Sequence, residues 1–444
     1  MLDGQPSLSP FEVPNTILID TRQVRIGMFV QLDVGWMNHP FPMSSFKVTT
    51  LEQLQTLQGL GLEQVRYVPS KSDVEPDSIP GLASVGEEPS SPVTSPLLET
   101  MSVPLRPSRH ALTKSPLQLQ HAAAMQCDWR FTEATRVYQQ LVHSLGADLG
   151  PSRASTEALV SGCVAELLAN GDCAIRLLSE GVGMRPALHA VNVMVLALLL
   201  GKALNIDEPE LHEIGVAALL HDLGKAVLPL HVAEPHAPLT PADRRRYESH
   251  VGESVVLARR MGWPASVLLA IAQHHEMMDG SGFPQQLSGK DLVRPGQILA
   301  LVNQYDRMCN PLHGGDALTP HEALSVIFAQ HKTKFDAVVL GAFIRMMGVY
   351  PPGSVVQLVN DRYALVISVN SSRPLRPRVL VHDSRVPTEE AMILDLEAVP
   401  ELGIRRSLRP SQLPREALDY LSPRKRICYF FERAVDPGPQ EAVT

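Results

Sequence analysis

Hydrophobic positions follow two different periods along this chain. Residues 17–19 and 24–32 read as short strands, with Gly27 marking a bend in the second. A helix follows, opened by the capping-box pair Thr50 and Gln53 and carrying Leu51, Leu54, Leu57 and Leu60 along one face. Gly61 ends it, and residues 65–68 read as another strand. From residue 117 to about 347 the spacing is helical, with breaks at Gly150-Pro151 and Gly181–Gly183. Within that stretch Thr240-Pro241-Ala242-Asp243 combines an N-cap, a proline at the first helical position and an acidic first turn. Gly224 stands where a C-cap glycine would close a helix over 216–223. After Pro351-Pro352 a period of two sets in. Residues 355–359 and 363–369 flank Asn360-Asp361 as a hairpin, and 378–381 and 392–396 read as further strands.

The pattern predicts a multidomain, mainly α protein. A small α+β domain spans 16–69, a Pro/Ser-rich linker 70–116, a connecting helix 117–149, a helical bundle 150–350 and a small β-rich domain 351–434. Nine prolines between Pro69 and Pro116, without periodic apolar residues, mark the linker.

Composition trims the functional options. With 44% hydrophobic and 19% charged residues the 444-residue chain is globular, and a net charge of −8 gives no support for nucleic-acid binding. Five cysteines without CxxC spacing argue against a disulfide framework or zinc ribbon and fit a reducing cytoplasm. The first residues lack the basic and apolar regions of a signal peptide. The most apolar run, 191–200, falls well short of the ~20 residues that span a membrane, so no membrane span and a cytoplasmic location are expected.

The chemistry gathers in one place. Eight of the sixteen histidines lie between His189 and His275. The dipeptide His221-Asp222 is uninformative alone, and His382-Asp383 in the β-rich tail serves as an internal control. The first pair differs in context. It closes an apolar helix, with Lys225 one turn later, while His189, His250 and His274-His275 sit at the ends of other helices. Helix ends of this kind converge in α-bundles, where metal sites are built. Imidazoles around a bridging carboxylate suit iron, manganese or zinc. Two such ions can activate water for in-line displacement at phosphorus, with Lys225 adding positive charge.

His189, His221-Asp222-Leu-Gly-Lys225, His250 and His274-His275-Glu276-Met-Met-Asp279-Gly280-Ser-Gly282-Phe283-Pro284 together resemble the HD-GYP family, a branch of the HD phosphohydrolases acting on bacterial cyclic di-GMP. Phe283 stands where that family usually has Tyr. The resemblance covers about residues 150–350, and residues 16–69 look like the uncharacterised domain that often precedes such modules. It implies a cyclic di-GMP phosphodiesterase with two divalent ions, iron or manganese, giving pGpG or GMP. Asp222 and Lys225 would be catalytic, and Lys225, Arg185, Gly282, Phe283 and Pro284 would contact substrate. His189, His221 and Asp222 would hold one ion, and Asp222 would bridge to a second on His250, His274 and His275. The family completes the first site with an Asp, where this chain has Asn303. The neutral amide should weaken that ion, and Asn303→Asp is expected to raise occupancy. Arg185 replaces the Glu of three-metal members, so no third ion is expected. The alternative function is a weakened module that binds the nucleotide or a partner such as a diguanylate cyclase.

Overall fold

The computed structural model describes residues 16–32, 45–59, 62–73, 115–147, 149–169, 172–183, 187–235, 238–311, 317–370 and 373–433. They belong to two compact units, divided between Ser115 and Pro116. Most of the proline-rich stretch, and Leu60, Gly61 and Arg185, lie outside the described residues.

The first unit contains β1 (Ile17–Asp20), β2 (Phe29–Gln31), β3 (Ser45–Lys47), α1 (Leu51–Gly59) and β4 (Gln64–Tyr67). The strands form an antiparallel sheet in the order β1-β4-β2-β3. Met28, Val30, Val48, Leu57, Val65 and Tyr67 fill its core. The capping box is present: Gln53 N donates to Thr50 Oγ1 at 3.1 Å and Thr50 N to Gln53 Oε1 at 3.3 Å. The leucine stripe is less uniform than expected, with Leu57 buried, Leu54 partly buried and Leu51 exposed. A spacing of three drifts off a 3.6-residue turn, so successive leucines rotate away from the core. The strand expected over 24–32 shrinks to β2 because the chain turns at Gly27, whose φ is 96°.

The second unit begins with α2 (Pro116–His143), α3 (Gly150–Ala169), β5 (Cys173–Leu177), α4 (Leu188–Ala203) and α5 (Glu208–Leu220). Then come α6 (Leu230–Ala233), α7 (Pro241–Glu248), α8 (His250–Arg260), α9 (Ala265–Gln273), α10 (Arg294–Cys309), α11 (Pro320–Gln330) and α12 (Ala337–Met347). Every residue of α4 from Ala190 to Gly201 is buried. A helix apolar on all sides must be surrounded, and α4 packs against α2, α3, α5, α10, α12 and the last strand.

The tail supplies β6 (Val355–Leu358), β7 (Tyr363–Asn370), β8 (Arg378–Val381), β9 (Ile393–Asp395), β10 (Ile404–Leu408), α13 (Arg415–Leu421) and β11 (Tyr429–Arg433). Its strands share one sheet with β5, in the order β10-β6-β7-β5-β11, while β8 joins β7 to β9. The helical region therefore contributes a central strand to the tail's sheet, and both belong to the same compact unit. All five cysteines are buried, and none is joined in a disulfide. No helix among the described residues is long and apolar enough to cross a membrane.

Between α2 and α3, Arg130 Nη1 meets Glu166 Oε1 at 2.6 Å with both side chains 2% exposed. Burial pushes the Glu166 carboxyl up to about 7 against the pull of Arg130, so desolvation outweighs the attraction of the pair. Glu166→Leu, which leaves Arg130 buried without its carboxylate, should cost about 3–5 kcal/mol in denaturant melts. The double variant Arg130→Met/Glu166→Leu should recover most of that loss. A double variant as unstable as the sum of the singles would contradict this account.

Candidate metal centre

Five imidazoles and one carboxylate meet where four helices end. His189 lies in the first turn of α4, His221 follows the last residue of α5, His250 opens α8, and His274-His275 follow α9. Asp222 leads into the 3₁₀ turn Leu223–Val227. Ligand atoms of Asp222, His250, His274 and His275 lie within 4.8 Å of one another, as do those of His189, His221 and Asp222.

Local sequence fixes these positions. A Cβ at Gly224 would sit 2.2 Å from the His250 carbonyl oxygen, so only glycine lets the 3₁₀ turn press against α8. Gly224 N then donates to Ser254 Oγ at 2.8 Å. This corrects the C-cap reading: α5 ends at Leu220, and Gly224 serves close approach rather than a left-handed cap. After His275 the buried Glu276 carboxylate accepts from Gln285 N at 2.7 Å and Leu287 N at 3.0 Å. A Cβ at Gly282 would lie 2.5 Å from the His275 carbonyl oxygen. Phe283 N donates to that oxygen at 3.2 Å, and its ring stacks on the His275 ring at 4.3 Å.

Hydrogen bonds on the outer side of the rings set their tautomers. Nδ1–H of His221, His250 and His274 donates to the carbonyls of Ala218, Tyr247 and Ile271 at 2.6, 2.5 and 2.6 Å. A carbonyl only accepts, so the hydrogen is on Nδ1 and each ring aims its Nε2 inward, where a neutral ring has its lone pair. His189 Nδ1–H donates likewise to Asp306 Oδ2 at 2.6 Å. The Nε2 atoms of His189 and His221 are 3.2 Å apart, and those of His250 and His274 3.4 Å. Asp222 Oδ1 lies 3.2 Å from His250 Nε2 and 3.7 Å from His274 Nε2. Both Asp222 Oδ1 and His275 Nε2 are buried without a hydrogen bond. Lone pairs facing lone pairs at a largely buried site repel, and a bound cation relieves them. The donor set fits a divalent transition metal.

Charge is arranged to the same end. Burial drives His221 and His275 well below the ordinary histidine value and pushes His274 down to about 4, keeping them neutral. Burial also opposes ionisation of Asp222, but Lys225 and the imidazoles hold its carboxyl well below the usual range. His189 moves up, because Asp222 and Asp306 overcome its burial. Asp222 Oδ2 accepts from Lys225 Nζ and from Arg307 Nη2 at 3.4 Å.

The remaining sequence candidates divide. Asn303 is buried beside the cluster, with its Oδ1 accepting from Arg307 Nε at 3.0 Å and its Nδ2 3.5 Å from His275 Nδ1. Gly282 and Phe283 line a cavity of about 400 Å³ together with Arg244, Tyr247, Arg307 and Lys334; Pro284 is exposed. The control pair stands apart, with Asp383 ion-paired to Arg385 at 2.9 Å and Arg362 at 3.2 Å. Sequence reasoning missed two residues. Asn192, visible only as a polar break in an apolar helix, donates to Asp306 and accepts from Tyr429 N at 2.8 Å. Arg307, one turn beyond Asn303, reaches Asp222.

Residues 175–339 match a family model described as an HD domain, and residues 16–149 match a domain of unknown function, DUF3391. The chain is 27% identical over 384 residues to a cyclic di-GMP phosphodiesterase of Pseudomonas aeruginosa, covering 84% of this chain and 88% of that one. It is 22% identical over 230 residues to the cyclic di-GMP phosphodiesterase PdeB of Borreliella burgdorferi, covering 51% of this chain and 60% of that protein. Over 149 residues it is 28% identical to the cyclic di-GMP phosphodiesterase response regulator RpfG of Xanthomonas campestris, covering 33% and 39%. The chain thus spans less than two thirds of the latter two relatives.

Metal removal should expose the cost of the neutral imidazoles. His274 titrates near 4 in the metal-free fold against 6.5 in the unfolded chain, so the unfolded chain takes up the proton first as pH falls. The stability it contributes is complete above about 6.5 and is lost on descending towards 4, on the order of 3 kcal/mol. His221 and His275 act in the same direction, and His189 opposes them. Urea melts of chelator-treated protein should weaken over that window, whereas flat stability from pH 7 to 4 would contradict the neutral assignment.

Proposed function

We propose that this chain, which carries an HD domain of HD-GYP type behind a DUF3391 module, is a metal-dependent phosphodiesterase that hydrolyses cyclic di-GMP to pGpG or GMP. The observation that carries the reading is the set of inward Nε2 lone pairs around a buried carboxylate oxygen that lacks a hydrogen bond. Relatives that are cyclic di-GMP phosphodiesterases support the substrate. Iron or manganese suits the donors, and when bound supplies Lewis acidity and acidified water for displacement at phosphorus.

The chain's own groups do the rest. Asp222 Oδ1 with His250, His274 and His275 would hold one ion, while Asp222 Oδ2 faces His189 and His221. The Nδ1 bonds to backbone carbonyls keep the rings from turning away. Lys225 places positive charge beside the site, where charge grows on the phosphoryl oxygens. Partners such as a diguanylate cyclase, and a cytoplasmic location, belong to the same proposal and rest on the resemblance and the cysteine pattern. A module that only binds the nucleotide is the weaker reading, since Asn303 is the one departure among the expected metal ligands.

Purified full-length protein loaded with manganese or ferrous iron should open cyclic di-GMP, and chelation should stop it. His221→Ala and Asp222→Ala should each lower the rate at least ~100-fold, equivalent to about 3 kcal/mol of barrier, and lose metal. His382→Ala and Asp383→Ala should stay within about twofold of the parent, because that pair is a surface ion-pair cluster. Metal-loaded parent protein that leaves cyclic di-GMP intact would sink the assignment.

A further inference from the structure

The two oxygens of Asp222 are in different positions. Oδ1 is buried, has no hydrogen bond and faces His250 and His274. Oδ2 faces His189 and His221 at 3.4 and 3.5 Å, yet already serves Lys225 and Arg307. Both oxygens of Asp306 are committed behind the cluster: Oδ2 takes His189 Nδ1, and Oδ1 takes Asn192 and Asn310. The His189–His221 side therefore has one anionic oxygen shared between two cations before any ion arrives. Lys225 and Arg307 together outweigh the charge of Asp222. A divalent ion on that side would meet net positive charge at close range.

Arg307 is held in place from three directions. Its Nε donates to Asn303 Oδ1 at 3.0 Å, Nη1 to Tyr247 Oη at 2.6 Å and Nη2 to Asp222 Oδ2 at 3.4 Å. A guanidinium has five N–H groups, so these bonds leave donors for a ligand. Arg307 also lines the cavity beside the cluster, where Arg244 and Lys334 add further positive charge. The neutral side chain at 303 belongs to the same device. An amide oxygen orients Arg307 without neutralising it, whereas a carboxylate there would pair with the guanidinium.

We propose that Arg307 takes the place of a second divalent ion: it balances Asp222 Oδ2 and binds a phosphate oxygen of the ligand, while a single ion sits with Asp222 Oδ1, His250, His274 and His275. This rests on the phosphodiester substrate proposed above. One consequence replaces an expectation drawn from position 303 alone. Asn303→Asp should form an ion pair with Arg307 and recruit no further metal unless Arg307 is removed as well.

The test uses full-length parent, Arg307→Met, Arg307→Lys, Tyr247→Phe, Asn303→Asp and Asn303→Asp/Arg307→Met. Manganese per chain is measured by elemental analysis, and cyclic di-GMP affinity by calorimetry on chelator-treated protein, which does not turn the ligand over. Parent, Arg307→Met and Asn303→Asp should each hold one ion, and the double variant should approach two. Arg307→Met should bind cyclic di-GMP about 10- to 100-fold more weakly, as expected for losing charge-assisted hydrogen bonds. If Arg307→Met does not fold, Arg307→Lys and Tyr247→Phe decide, each expected to weaken binding several-fold at unchanged metal content. Two ions in the parent, or undiminished affinity in the Arg307 variants, overturns the proposal. A parent that neither binds nor cleaves cyclic di-GMP counts against the substrate. In that case the metal counts still judge Arg307, and a double variant held at one ion rejects the substitution.

Discussion

Imidazole lone pairs brought together at a largely buried site repel one another, and the second unit is built around holding them there. The tautomers leave no freedom to escape, because three Nδ1–H groups are tied to backbone carbonyls one helical turn back. Asp222 is the carboxylate among them, and burial alone would neutralise it. Lys225 and the surrounding imidazoles keep it charged. The packing of α4, α5, α8, α9 and α10 therefore has to offset electrostatic repulsion as well as chain entropy. A bound cation converts the repulsion into coordination, so metal binding and folding stability are linked.

Much of this was legible in the sequence because helix ends leave clear marks. Histidines at the borders of apolar runs, Thr240 as an N-cap and the Thr50–Gln53 capping box all read as the structure has them. Strand β5 did not, and the cause is physical. All five of its residues are buried, so it lacks the in–out alternation that marks a half-exposed strand and resembles a stretch of buried helix. Strands β10 and β11 were missed in the tail because neither alternates: β10 has two consecutive exposed arginines, and β11 is buried from Tyr429 to Glu432.

At the site, residue identity was legible and orientation was not. Asn303 stands out in the sequence as a missing negative charge. What it does instead depends on Arg307 and on Tyr247, which lies 60 residues upstream of that arginine. An arginine on the polar border of an amphipathic helix ordinarily reads as a solvated surface residue. Its hydrogen bonds to Tyr247 and Asp222 turn it inward. Gly224 carries the same lesson, since a glycine after an apolar run reads equally as a cap or as a point of close approach.

Asn192 adds a dimension of time. It joins α4 to Asp306, which orients His189, and to the backbone of Tyr429 in β11, 237 residues later in the chain. Asn310 closes the same bracket through Ile427. During synthesis, at roughly 5–20 residues per second, the histidines exist for tens of seconds before the strand that steadies His189 emerges. A nascent chain therefore carries every metal-binding side chain before it carries the finished geometry. The support behind His189 is complete only once β11 is in place.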